Sequence, residues 1–166
     1  MSYLFAAKHP PIQGGESSKL YWLTKELSHD EDVTIVTNAD EVEDHHRIRH
    51  GKGKNQSTII QTTPTQTVIP ETKAYSEKIN SNLIEEIQRN DPDSVIGWYL
   101  LPYGIATGNA ARITGKKYGI QHAGSDMKRH RNHGDLKTLI NETINDAEYI
   151  LSYPSHVDFF KQRDKN

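Results

Sequence analysis

The chain contains no cysteine, which excludes disulfides, thiolate metal centres and a cysteine nucleophile, and agrees with a reducing compartment without requiring one. Long apolar runs are missing too. Nothing approaches the roughly 20 residues that a membrane span needs, and Met1 to Lys8 lacks the basic start of a secretory leader. A cytoplasmic, soluble protein is therefore expected, a reading that excludes spanning a membrane and leaves peripheral contact open. Charge of one sign is also lacking: 20 Lys and Arg stand against 22 Asp and Glu, a formal net charge of −2. That balance exerts no general pull toward nucleic acid. There is no Walker loop, no GxGxxG and no HExxH. Apolar content is low as well, at 34% of 166 residues, yet the length still suits one domain with a core. The deficit is concentrated in the polar stretch from Asn38 to Gln56, which reads as a surface or binding loop.

What is present alternates. "SYLFAAK" (Ser2 to Lys8) is a nearly continuous apolar run before Pro10 and Pro11, the pattern of a strand buried on both faces. "SSKLYWLTKELS" puts Leu20, Leu23 and Leu27, with Trp22 beside them, at helical spacing, and "DVTIVT" supplies a β-branched strand. "STIIQTT" is a further strand candidate, which "TVIP" extends or flanks. The segment before Pro92 carries Ile79, Leu83, Ile84 and Ile87 on one helical face. "SVIGWYLLP" repeats the apolar strand ending at a proline. Ala106, Ala110 and Ala111 then allow a helix to approach a sheet closely. "GIQHAGSD", "DLKTLINETINDA" and "EYILSYPS" predict strand, helix and strand, with a short helix from Ser155. Strand–helix alternation of this kind predicts an α/β, doubly wound, mostly parallel sheet in three layers.

In such a sheet, ligands sit beyond the carboxyl ends of the strands. The loop after the first strand holds Gly14 and Gly15, with Ser17 and Ser18 available as helix caps. Two readings stand side by side. Either glycine admits an anion to free helix amides, or a tight turn simply needs positive φ. "QHAGSD" brings His122, Gly124, Ser125 and Asp126 to another strand end, where His and Asp can converge on a sugar-sized ligand or merely cap a helix. Lys128 to Arg131 read as a solvated face, with a phosphate-holding role as the alternative. Glu43, Asp44, His45, His46 and His50, in the His-rich loop 43–50, lack a metal-binding spacing, so no metal is expected.

Together, "SYLFAAKHPPIQGGESSKLYWLTKELSHDEDVTIVT", "YGIATGNAARITGKKYGIQHAGSD" and "AEYILSYPS" resemble the N-terminal domain of GT-B type glycosyltransferases of the large retaining family four. The resemblance covers most of residues 1–166, except the loop 38–56. It implies a Rossmann-like acceptor-side domain of a glycosyltransferase that moves a sugar from a nucleotide-sugar donor to a sugar or lipid-linked acceptor. In residue terms it implies that Gly14, Gly15 and Glu16 face the donor diphosphate, that His122 reaches the donor sugar as the catalytic residue, and that Gly124, Ser125 and Asp126 bind acceptor. It also implies a nucleotide-sugar co-substrate without a metal, and transfer by front-face substitution. The family's second, nucleotide-holding domain has no counterpart in these residues, so a complementing domain in cis or subunit in trans is expected. Two other classes remain beside this one. One is a non-catalytic module that binds a small anion or carbohydrate, or docks a partner. The other is a metal-dependent sugar deacetylase, for which "KHPPIQGG" has proline where that family places carboxylates.

Overall fold

The computed structural model describes residues 1–10, 14–37, 58–61, 72–130 and 134–161, with side chains described there except at 58–61, 72–76 and 128–130. The polar loop 38–56, the "TVIP" segment, Arg131 and His133 lie outside the described residues, as do the side chains of Lys128, Arg129 and His130.

Among the described residues, six strands form one sheet: β1 (Ser2–Ala6), β2 (Asp32–Thr37), β3 (Thr58–Gln61), β4 (Ser94–Trp98), β5 (Gly119–Gln121) and β6 (Tyr149–Leu151). Their order is β3-β2-β1-β4-β5-β6, and every pairing is parallel. This is the expected α/β, doubly wound arrangement, and its chain order reverses direction between β1 and β4. The apolar run of β1 explains its central place. Leu4 and Ala6 join a core cluster with Val95, Ile79, Leu83 and Ala110, whereas Phe5 and Ala7 join a second cluster with Ile35, Ile96 and Leu20. Alternate side chains thus bury into opposite cores, which requires apolar residues at every position.

Helices α1 (Gly15–Leu27), α2 (Thr72–Asn90), α3 (Ile105–Thr114), α4 (Ser125–His130), α5 (Lys137–Asn145) and α6 (Val157–Lys161) complete the layers. Ile79, Leu83 and Ile87 face inward from α2, with Ile84 partly buried. Ala106, Ala110 and Ala111 are all buried, so α3 lies close to the sheet as their size predicts. Gly97 is a similar case inside β4. A Cβ there would lie 2.6 Å from Gly104 Cα, in the wide turn Leu100–Gly104 that folds back over the strand.

The inward face of α1 differs from the leucine spacing. Leu20 is buried, but Trp22 is 56% and Leu23 36% exposed, and the inward stripe runs instead through Ser17, Leu20, Thr24 and Ser28. The Thr24 and Ser28 hydroxyls make this possible by satisfying themselves locally. Thr24 Oγ1 donates to the Leu20 carbonyl at 2.9 Å and Ser28 Oγ to the Thr24 carbonyl at 2.6 Å. Among the described residues, no helix is long and apolar enough to cross a membrane.

Candidate functional site

The crevice at the β1/β4 reversal holds a cavity of about 290 Å³ lined by Lys8, Gly14, Gly15, Glu16, Ser17, Tyr99, Ala123 and Ser125. Each wall follows from the topology. Lys8 follows β1 and Tyr99 follows β4, the two strands whose helices wind in opposite directions. Ala123 and Ser125 follow β5, the next strand outward. The turn with paired glycines and the turn after β5 therefore open side by side.

Gly14 is the N-cap of α1, at φ 140°, a conformation that side-chain-bearing residues rarely take. The expected Ser17 and Ser18 caps are not made, because the helix begins at Gly15 and carries no side-chain cap. Its first intrahelical bond joins Ser18 N–H to the Gly14 carbonyl at 3.1 Å. The amides of Gly15, Glu16 and Ser17 consequently precede any carbonyl that could accept them within the helix. Ser17 Oγ is buried in the same wall and has no hydrogen-bond partner among the described residues. The Lys8 ammonium sits 5.5 Å from the Tyr99 ring centroid and forms no ion pair among the described residues. Helix amides and a cation beside one space, with a buried hydroxyl behind them, are the chemistry of an anion site. Gly14 meets the reading that a tight turn needs positive φ, and Gly15, which does not need it, borders open space among the described residues.

Glu16 lies across the cavity mouth. Its Oε1 accepts Lys19 Nζ at 2.8 Å and the Tyr153 hydroxyl at 3.4 Å. Lys19 also donates to Tyr153, closing a triangle between α1 and the turn after β6. These contacts raise the Lys19 pKa, with the Glu16 hydrogen bond the largest cause and Tyr153 next. Glu16 Oε2, by contrast, is shielded from solvent without a partner among the described residues.

His122 and Asp126 stand behind this cavity rather than in it. His122 is 1% exposed. Gly124 N–H donates to its Nδ1 at 3.1 Å, which fixes the proton on Nε2, and that nitrogen donates to Ser152 Oγ at 2.9 Å. Ser152 passes the chain on to the Tyr153 carbonyl at 3.1 Å. Burial pushes the His122 pKa down; Asp126 and Glu16 oppose this and His156 reinforces it. Asp126 is 0% exposed. Its Oδ2 accepts Leu100 N–H at 2.9 Å, and its Oδ1 accepts the amides of Ala123 at 3.1 Å and Met127 at 2.8 Å. Both expected sugar-contacting side chains therefore spend their polar atoms inside the protein, tying β5 to β6 and to the turn after β4. Gly124, at φ 75°, turns the chain between them, and Ser125 is exposed and lines the cavity.

Lys8, Tyr99, Lys19 and Tyr153 were not singled out by the sequence. Lys8 and Tyr99 become neighbours only through strand order, and Tyr153 reaches Glu16 across 137 positions. Among the described residues, no group of three or more His, Asp or Glu is placed to hold a metal ion.

No family model matches the chain, and no curated protein matches it either. Solved structures do. UDP-GlcNAc 2-epimerase from Methanocaldococcus jannaschii superposes with a TM-score of 0.61 at 10% identity over 100% of this chain and 43% of its own. Sucrose-phosphate synthase from Thermosynechococcus elongatus gives 0.67 at 10% identity over 98% and 45%. UGT89C1 of Arabidopsis thaliana, complexed with UDP, gives 0.65 at 15% identity over 98% and 46%. The chain spans less than half the length of these proteins. It shares the Rossmann-like fold of GT-B enzymes.

Proposed function

We propose that this chain is the acceptor-side Rossmann-like half of a nucleotide-sugar-dependent glycosyltransferase. The observation that supports it best is the shared cavity at the β1/β4 reversal, where the α1 N-terminus, Ser17 and Lys8 face the turn bearing Ser125. A diphosphate bridging these groups would receive amide and hydroxyl hydrogen bonds and one cation, each favouring negative charge. The neighbours named above include a protein complexed with UDP and two whose names carry a sugar nucleotide or a sugar phosphate, which is consistent with such a ligand.

In this reading the protein supplies placement and electrostatics. Transfer with front-face substitution would let the departing phosphate take up the acceptor proton, so no strong base is required of the chain. Gly14 and Gly15 admit the diphosphate, and Ser125 faces the acceptor. His122 is a positioning residue, since its ring holds Gly124 and Ser152 rather than facing the cavity. A complementing donor-side domain, in cis or in trans, would supply the remaining nucleotide contacts.

Titration of ¹⁵N-labelled protein with UDP in the millimolar range tests the cleft. The expected result is movement of the Gly14, Gly15, Ser17 and Ser125 amide resonances together. Gly15→Leu should abolish the shifts, with circular dichroism checking that the fold is kept; a Cβ at Gly15 meets no atom of the described residues within 4 Å. Shifts confined elsewhere, or undiminished by Gly15→Leu, refute the assignment.

A further inference from the structure

Tyr99 holds a backbone conformation that its own chemistry disfavours. Its φ is 86° and its ψ 136°, a region open to glycine and unfavourable for a residue with a Cβ. Among the described residues one other non-glycine residue has positive φ, Asp91 at 41°, just past the end of α2, where a short polar side chain tolerates it. Backbone bonds on both sides keep Tyr99 in place. Its N–H donates to the Gln121 carbonyl at 2.9 Å, its carbonyl accepts the Gly104 N–H at 2.9 Å, and the next amide, Leu100 N–H, donates to the buried Asp126 carboxylate at 2.9 Å. Trp98 and Leu100, on either side, are buried in the two core clusters, whereas Tyr99 is half-buried and lines the cavity.

The ring meets the Lys8 ammonium there, 5.5 Å from its centroid, within reach of a cation–π attraction. Lys8 follows β1 and Tyr99 follows β4, so the contact spans the reversal point, and both residues line the cavity. A lysine stem left to itself spreads its charge over many rotamers; a ring face confines it. We propose that Tyr99 is a positioning residue: held in a conformation that favours glycine, its ring keeps the Lys8 ammonium at the anion end of the cleft before a ligand arrives. Binding then loses less side-chain entropy than it would with an unconfined lysine. The inference rests on the anion cleft proposed above and deepens it, since the group served is the phosphate moiety, whatever nucleoside it carries.

The test uses the whole chain, with inorganic pyrophosphate and UDP in the millimolar range as probes and uridine as the uncharged control, followed by amide shifts. Lys8→Met should weaken pyrophosphate and UDP by about tenfold, the loss of one charge-assisted contact. Tyr99→Leu should weaken both by about threefold, the size of an exposed cation–π contact, and Tyr99→Phe, which keeps the ring, should bind as the wild type does. In the Lys8→Met background Tyr99→Leu should cost nothing further; a merely structural defect would add its threefold there as well. Without any ligand, the ring current should hold the Lys8 ε-methylene proton resonance upfield of its position in Tyr99→Leu. Tyr99→Gly should unfold about 0.5 M later in urea than Tyr99→Ala, the reverse of their order at an ordinary φ. Additive losses in the double variant, equal losses for uridine, a Lys8 resonance that Tyr99→Leu leaves in place, or an alanine variant as stable as the glycine one each overturn the inference and spare the anion cleft. Binding of neither pyrophosphate nor UDP by the wild-type protein overturns both.

Discussion

Replacing Asp126 by asparagine is the sharpest test of how the cleft is built. The carboxylate is fully buried and accepts three backbone amides, two on Oδ1 from Ala123 and Met127 and one on Oδ2 from Leu100. Asparagine keeps only one oxygen. The best placement puts it at the Oδ1 position, retaining two bonds as neutral ones, and turns the NH₂ against the Leu100 amide. Two donors then face one another in the interior. Loss of a charge-assisted bond, an orphaned buried donor and the weakening of two further bonds amount to about 3 kcal/mol. With a urea m-value of about 2 kcal/mol/M, the midpoint should fall by about 1.5 M. Equilibrium urea unfolding at pH 7, followed by circular dichroism, measures this. A loss below about 0.5 kcal/mol would refute the inward clamp and return Asp126 to the acceptor-binding role that the sequence resemblance implies.

Gly97→Ala should be strongly destabilising, because the added Cβ would lie 2.6 Å from backbone at Gly104 rather than from a yielding side chain; about 1–3 kcal/mol, or more, is expected for such overpacking, read from the thermal midpoint. A pH dependence follows from His122, whose folded pKa lies below its ordinary value of 6.5 because burial disfavours the cation. On acidification through about pH 6.5 the unfolded chain takes up this proton before the folded one does, so stability is lost as pH falls toward the depressed value. His122→Gln should flatten that part of the profile of melting temperature against pH, and an unchanged slope would count against the buried neutral ring.

Much of the fold could be read directly, because it rests on local patterns. The double-faced apolar run at Leu4 to Ala7, the small residues Ala106 to Ala111 and the helical stripe Ile79 to Ile87 each state their environment in their own spacing. The face of α1 could not. Thr24 and Ser28 sit inward where hydrophobicity would put Leu23, since their hydroxyls bond to the helix's own carbonyls. At the site, the glycine pair and Ser125 were visible because turns advertise themselves by composition. The inward roles of His122 and Asp126 were not, because the same residue types serve a ligand or a buried network equally well, and only the surrounding backbone decides. Lys8, Tyr99 and Tyr153 carried no local signal, as their neighbours come from strands distant in the chain.

The chain's two tryptophans occupy opposite surroundings: Trp22 is on the outer surface of α1, and Trp98 is enclosed at the end of β4, one residue before Tyr99. Emission from the first should be quenched by iodide in the native state, while the second should remain blue-shifted and protected. Fluorescence can therefore follow events in the crevice and on the outside of the molecule separately, with no label added.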